Sequence, residues 1–337
     1  MTQMQPAVKQ LSRSALERLP DQDIPRAAID KVLQKLSRME FPEKEHVERY
    51  IRYKWRMNHK PGSLSGAFKA IELFLSFYTS LGKTRIKEIK RDDIEAFIEN
   101  EQDRGTKITS ASTRLKYLTG FLHFLIDQNI LPDALLRKKI RLRLPEFLPR
   151  AMNPEDVRRF VSVLASARDR AMFLTLLRTG MRIGEVLALK ANDIDIKEKK
   201  IFIFEGEKNS LGRVVYLSDD ALFALKLWLT KKNQHKDFVF YGQGRQSLGY
   251  SSARARFVKY LKKAVLEHKG YTIHSLRHTF ASELLNAGMR LECLQQLLGH
   301  QNIEMTRRYA RLTDKTREEE YHRAMAVIEE GGIHGQY

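Results

Sequence analysis

The sequence predicts a mainly α-helical protein with a small antiparallel β-sheet, helical in its N-terminal part and mixed α+β in its C-terminal part. Three observations carry this. Through the first hundred and forty positions apolar residues recur at three- and four-residue steps, with no convincing strand. Lys200 to Phe204 and Arg213 to Leu217 are short runs rich in β-branched and aromatic residues, joined by a polar turn containing Gly206, Asn209 and Gly212. Helical periodicity then returns and continues to about Glu330.

Two helices are predicted in the first sixty residues, Ala27 to Met39 and Glu43 to Met57. The second carries Arg49, Arg52, Lys54 and Arg56 interleaved with Tyr50, Tyr53 and Trp55. That pattern suits contact with a polyanion, and equally a solvated charged face whose aromatics pack inward. Residues 1–60 are read as an N-terminal extension of unassigned role. Residues 61–140 follow as a small helical bundle, with apolar stripes at Leu64, Phe68, Ile71, Leu75 and Tyr78, at Ile94, Phe97 and Ile98, and at Leu115, Leu118, Leu122 and Leu125.

A basic run, Arg137, Lys138, Lys139, Arg141 and Arg143, leads into Pro145 and Pro149, which discourage a continuous helix. The interdomain linker is placed at 141–152, and these cations are candidates to lie along phosphates. Asn153-Pro154-Glu155 then opens a new domain, 153–337, with an N-cap, a proline at the first helical position and an acid in the first turn. Helices are expected over Pro154 to Ser166 and Arg168 to Leu177. Thr179-Gly180 breaks the pattern, and a helix from Arg182 to Leu189 puts Arg182 at a helix start. Lys208 falls near the hairpin tip. Further helices are expected over Asp219 to Lys231 and Ser251 to His268, with a short strand at Phe238 to Phe240 between them and a C-terminal helix from about 313.

Length suits two domains: 337 residues exceed what one small core needs. With 60 Lys+Arg against 41 Asp+Glu the net charge is +19, which favours a polyanionic partner, nucleic acid foremost. There is no long apolar span and no signal-peptide pattern in Met1 to Gln10, so a soluble, cytoplasmic protein without membrane contact is expected. The single cysteine, Cys293, allows no internal disulfide and no cysteine cluster for zinc.

The chemistry concentrates in the last quarter. His274-Ser275-Leu276-Arg277-His278 is followed by Leu298-Gly299-His300 and, nine positions on, by Tyr309. Upstream lies Thr179-Gly180-Met181-Arg182-Ile183-Gly184-Glu185. Phosphoryl transfer needs a nucleophile, cations around the non-bridging oxygens and an acid for the leaving oxygen. Arg182 and Arg277 can each fork two donors onto phosphate oxygens. His274 can bond the phosphate or relay the tyrosine proton, and His300 can donate to a second oxygen or to the leaving group. Tyr309, singled out from Tyr216, Tyr250, Tyr271 and Tyr321 by its spacing from His300, is the candidate nucleophile; its ordinary pKa near 10 requires the arginines to favour the phenolate as it forms. Lys208 is the candidate to protonate the departing 5′ oxygen, with Lys197, Lys199 and Lys200 bordering the same hairpin. A 3′-phosphotyrosine bond keeps the energy of the phosphodiester, so rejoining needs no cofactor, neither ATP nor metal. His274 and His278 have the i, i+4 spacing of zinc helices, but Ser275 stands where a metalloprotease carries glutamate, which points away from a metal site. His278 is read as packing in the helix against a hydrogen-bond partner rather than as a catalytic group.

On these motifs the chain resembles the tyrosine recombinases of the phage integrase and Xer-like family. The family pattern, an arginine in T-G-x-R-x-x-E, a hairpin lysine, H-x-L-R-H, L-G-H and a tyrosine nine residues later, falls on Arg182, Lys208, His274, Arg277, His300 and Tyr309. The hairpin Gly206-Glu207-Lys208 departs from the common G-K-G form. The resemblance implies a site-specific DNA recombinase, acting in integration or resolution through a four-way (Holliday) junction. It implies a helical DNA-clasping domain at 61–140, and a homotetramer on paired double-stranded sites formed from a protein that is monomeric when free. It also implies a contact from Thr313 to Glu330 onto a neighbouring protomer. Two other readings share the motifs: a non-catalytic DNA-binding regulator with the same fold, and a type IB topoisomerase-like relaxing enzyme.

Overall fold

The computed structural model describes residues 26–145, 149–204, 212–233, 235–242, 247–310, 321–323 and 325–326. These fall into two compact units that divide at Pro145.

The first unit is helical: α1 (Arg26–Ser37), α2 (Lys44–Arg56), α3 (Pro61–Ser80), α4 (Arg91–Asp103) and α5 (Ile108–Asp127). Helix α3 buries Leu64, Phe68, Ile71, Leu75 and Tyr78, the stripe the spacing predicts, and packs on α5 through Leu115, Leu118, Leu122 and Leu125. Each such side chain removed from water contributes about 1.5–3 kcal/mol. Residue 60 is not a boundary of packing, because Ile29, Val32, Leu36, Val47, Tyr50 and Ile51 belong to the same apolar cluster as α3 to α5. The aromatics of α2 divide: Tyr50 is in the core beside Phe121, whereas Tyr53 is partly exposed. Arg52 pairs with Glu48 on its own helix.

The basic run Arg137, Lys138, Lys139, Arg141 and Arg143 is exposed. Ile140 and Leu142 between them pack against the first unit's core, and Arg91 donates to the Lys138 carbonyl at 2.7 Å. At the far side of the expected linker, Met152 is buried in the second unit and its amide donates to Thr279 Oγ1 at 2.8 Å. Leu142 and Met152 are thus each held by packing, the one in the first unit and the other in the second.

The second unit begins with α6 (Pro154–Ser162), whose N-cap Asn153 accepts from the Asp156 amide at 2.7 Å. Next comes α7 (Ala167–Thr179), buried almost all round from Ala171 to Leu177, as befits a helix at the centre of a domain. Helix α8 (Ile183–Leu187) leads to a three-stranded antiparallel sheet, β1 (Ile194–Asp195), β2 (Lys200–Ile203) and β3 (Arg213–Tyr216), in that spatial order. Its register pairs Ile201 with Val215 and Ile203 with Arg213, so strand alternation puts all four side chains on one face. Lys208 lies outside the described residues.

Helices α9 (Asp219–Lys231), α10 (Tyr250–Lys263), α11 (Ile273–Asn286), α12 (Leu291–Leu298) and α13 (Glu304–Ala310) complete the unit, with α9 and α11 packed on α7. Five details differ from expectation, the first being that the helix expected over Pro154 to Ser166 stops at Ser162. Phe238 to Phe240 is an isolated bridge to Lys190 rather than a strand. Strand β1, two residues long, offers too short a pattern to read. The helix expected to reach His268 stops at Lys263, two residues before Val265 turns left-handed at φ 58°. The continuous helical tail is broken at Gly288 and Gly299, both at positive φ, and the helix expected from about 313 falls largely outside the described residues. Among the described residues no helix is long and apolar enough to cross a membrane.

Candidate active site

Five separate segments build the site. Helix α7 ends at Gly180, left-handed at φ 61°, where a Cβ would stand 2.3 Å from the Phe280 ring. Glycine is thus required both by conformation and by space. The chain turns there and delivers Arg182 to the N-cap of α8, the helix start that the sequence suggests. Its amide donates to Glu185 Oε2 at 2.7 Å, its Nη1 to Glu185 Oε1 at 3.0 Å, and its Nη2 to the Gly299 carbonyl at 3.2 Å.

Arg277 comes from α11 and is buried. Its Nη1 donates to the Gly180 carbonyl and its Nη2 to the Leu298 carbonyl at 2.7 Å. These carbonyls close α7 and α12, where helix dipoles are negative and orphan acceptors gather, so a buried cation is well compensated. Burial pulls the guanidinium down to about 10, helped by Arg182, and it remains charged at neutral pH.

Gly299 caps α12 at φ 61°, and a Cβ there would meet Arg213 Cδ at 3.0 Å. His300 follows, its amide donating to the Gln295 carbonyl while Gln295 Nε2 donates to the His300 carbonyl at 3.0 Å. The ring Nε2 is 3.0 Å from Arg277 Nη2, and Nδ1 is 2.9 Å from Thr306 Oγ1. Burial first, then Arg277, Arg182 and Arg213, pushes His300 down to about 3.

Helix α13 brings Tyr309 back over α11, into an apolar cluster with Phe280, Leu294 and Leu298. Its hydroxyl lies 2.9 Å from His278 Nδ1, and its ring is nearly parallel to that of His300 at 6.4 Å. Burial raises the phenol's pKa; Arg277, Arg308 and Arg182 pull the other way but less strongly. The expected help from cations is present, but burial outweighs it in this arrangement. His278 is pushed down to about 4, by burial and then by His274 and Arg277. His274 is exposed, one turn before His278 on α11.

The structure therefore gathers Arg182, Arg277, His300 and Tyr309, and sets His274 at the exposed start of α11. Two participants were not read from the sequence. His278, read as packing against an unnamed hydrogen-bond partner, has the Tyr309 hydroxyl as that partner. Arg213 reaches Glu185 through both oxygens and donates to the Leu297 carbonyl at 2.9 Å. A signal for Arg213 existed: it shares the inward parity of β3 with Val215, and an inward cation needs a buried acid. An open depression of about 820 Å³ borders Arg213 and His300. Among the described residues no group of three or more His, Cys, Asp or Glu is placed to hold a metal ion.

Residues 150–316 match the Phage integrase family. Over 198 residues the chain is 30% identical to the tyrosine recombinase XerA of Pyrococcus horikoshii, covering 58% of this chain and 68% of that one. Over 269 residues it is 29% identical to the tyrosine recombinase XerD of Oceanobacillus iheyensis, covering 74% and 88%. Among solved structures, the XerH site-specific recombinase bound to palindromic difH substrate matches with a TM-score of 0.69 over 89% of each chain, at 21% identity, a likeness of fold.

Proposed function

The chain belongs to the phage integrase family of tyrosine recombinases, DNA breaking-rejoining enzymes, and on that premise we propose that Tyr309 attacks a DNA phosphodiester in site-specific recombination. The observation that carries this reading is the convergence of Arg182, Arg277 and His300, from three segments, beside the Tyr309 hydroxyl's own helix. The two guanidiniums now rest on backbone carbonyls and Glu185, acceptors that a scissile phosphate can replace.

In the proposed reaction the phenolic oxygen bonds to phosphorus and the bond from phosphorus to the 5′ oxygen breaks. The result is a 3′-phosphotyrosine link, from which a second strand's 5′ hydroxyl restores a phosphodiester by way of a Holliday junction. Arg182 and Arg277 stabilise charge on the non-bridging oxygens. The phenolic proton passes to His278, its present neighbour, and His274 stands one turn outward on the same helix. Lys208 is proposed to supply the proton to the leaving 5′ oxygen. The exposed cations Arg137, Lys138, Lys139, Arg141 and Arg143 are proposed to lie along the duplex backbone.

The relatives are recombinases, and XerH was solved on its difH substrate. By that likeness we propose double-stranded recombination sites as the partner, with four protomers on a pair of sites and a cytoplasmic place of action. The test is Tyr309→Phe on a nicked duplex that traps the covalent intermediate. Wild type is expected to become covalently linked and the variant to bind without linking; a variant that still links refutes the assignment of the nucleophile.

A further inference from the structure

Thr306 is fully buried on α13, three positions before Tyr309, with its hydroxyl 2.9 Å from His300 Nδ1. The opposite ring nitrogen, Nε2, faces Arg277 Nη2 at 3.0 Å. A guanidinium has donors and no acceptor, so the hydrogen in that contact belongs to arginine and Nε2 offers its lone pair. A neutral imidazole that accepts at Nε2 carries its one proton on Nδ1, and here that proton is donated to Thr306 Oγ1. The ring is neutral because burial and the surrounding arginines oppose a second positive charge.

We propose that Thr306 is a positioning residue that selects the Nδ1–H tautomer of His300 and ties the helix of the nucleophile to the arginine site. This rests on the DNA-cleaving reading of that site. It changes what His300 brings to the reaction. With its only proton committed to Thr306, the ring meets an incoming phosphate with an acceptor, and donates to a phosphate oxygen through Nε2 only once it has become an imidazolium. The phosphate supplies the negative charge that makes this protonation favourable, so His300 acquires its donor when DNA is bound. The same hydroxyl fixes α13 to the loop after α12, so setting the ring and placing Tyr309 are one event.

The test uses the full chain labelled with ¹⁵N-histidine, the His300 signals being assigned by their loss in His300→Gln. Wild type and Thr306→Ser, which keeps the hydroxyl, are expected to show the Nδ1–H tautomer at position 300. Thr306→Val, which keeps the branched shape and loses the oxygen, is expected to show a mixture. In parallel, covalent linkage is timed on a nicked duplex carrying the cleavage sequence recovered from DNA crosslinked through Tyr309. The Val variant is expected to slow by about tenfold with binding of that duplex unchanged, and the Ser variant to recover most of the rate. An Nε2–H tautomer in wild type, or a Val variant with wild-type spectrum and rate, overturns the proposal. Absence of covalent linkage in wild type with the Nδ1–H tautomer present would instead overturn the reading of the site.

Discussion

Glu185 receives Arg213 through both carboxylate oxygens, Nη1 to Oε1 at 2.9 Å and Nη2 to Oε2 at 2.7 Å, while the same oxygens accept from Arg182. One buried acid therefore holds two cations from different segments, and these hydrogen bonds and charges keep its pKa below the ordinary value despite burial. Glu185→Gln retains the shape and removes the charge, leaving two arginines undercompensated in the interior. A loss of about 3 kcal/mol is expected, in the range for breaking a buried pair from one side. Urea unfolding measures it, and a change within about 0.5 kcal/mol, the scatter of ordinary surface substitutions, would contradict the account.

His278 is the hydrogen-bond partner of the Tyr309 hydroxyl at 2.9 Å. His278→Phe removes this partner and keeps a planar ring. Covalent linkage is expected to slow by about a hundredfold, the lower end of acid–base contributions, with duplex binding intact. Single-turnover trapping reads the rate directly. An unchanged rate would show that the phenolic proton leaves by another route.

The two depressed histidines of the site, together with His59, which burial and then Lys54 also lower, make stability depend on pH. His278 is held at about 4 and His300 at about 3, against 6.5 for an ordinary histidine. As pH falls through 6.5 the unfolded chain binds protons that the folded one refuses, so stability is lost from there downward, to about 4 for the His278 contribution and to about 3 for that of His300. Melting temperature measured from pH 7.5 to 4.5 is expected to drop. Because Glu185 has its pKa below the ordinary carboxylate value, that upper window belongs to the histidines rather than to the acid. His278→Asn should flatten it; an unaltered slope would place the effect elsewhere.

The exposed run from Arg137 to Arg143 predicts a strong salt dependence of DNA binding. Each phosphate contact contributes about −0.9 to the slope of log affinity against log salt. Replacing Arg141 and Arg143 together by alanine is expected to make the slope shallower by nearly two, with similar losses on specific and random duplex. Titrations at several salt concentrations test this, and an unchanged slope would remove these residues from the interface.

Much of the architecture is legible as periodicity. The stripes of α3 to α5 follow from three- and four-residue spacing, because burial on one helix face requires it. Asn153-Pro154 announces α6 through local capping chemistry, and Gly180 marks a helix end where only a left-handed residue fits, whereas the ends at Gly288 and Gly299 were not read. Arg182, His274, Arg277, His300 and Tyr309 stand out because their types and spacing suit phosphoryl transfer. Strand β1 was too short to show a pattern, and Val265 gives no sign that it will turn left-handed.

By itself the sequence determined the helical periods and which residue types could serve the chemistry, since these depend on neighbours within a few positions. Only the tertiary structure decided that His278 faces the Tyr309 hydroxyl, that Arg213 lies on Glu185 and that Thr306 closes on His300. Those pairs are separated by 31, 28 and 6 positions, and the partners come from different elements or from a loop and a helix. Their pairing is set by the packing of α7, α11 and α13 around a core that excludes water, where each polar group must find whichever partner the fold brings near.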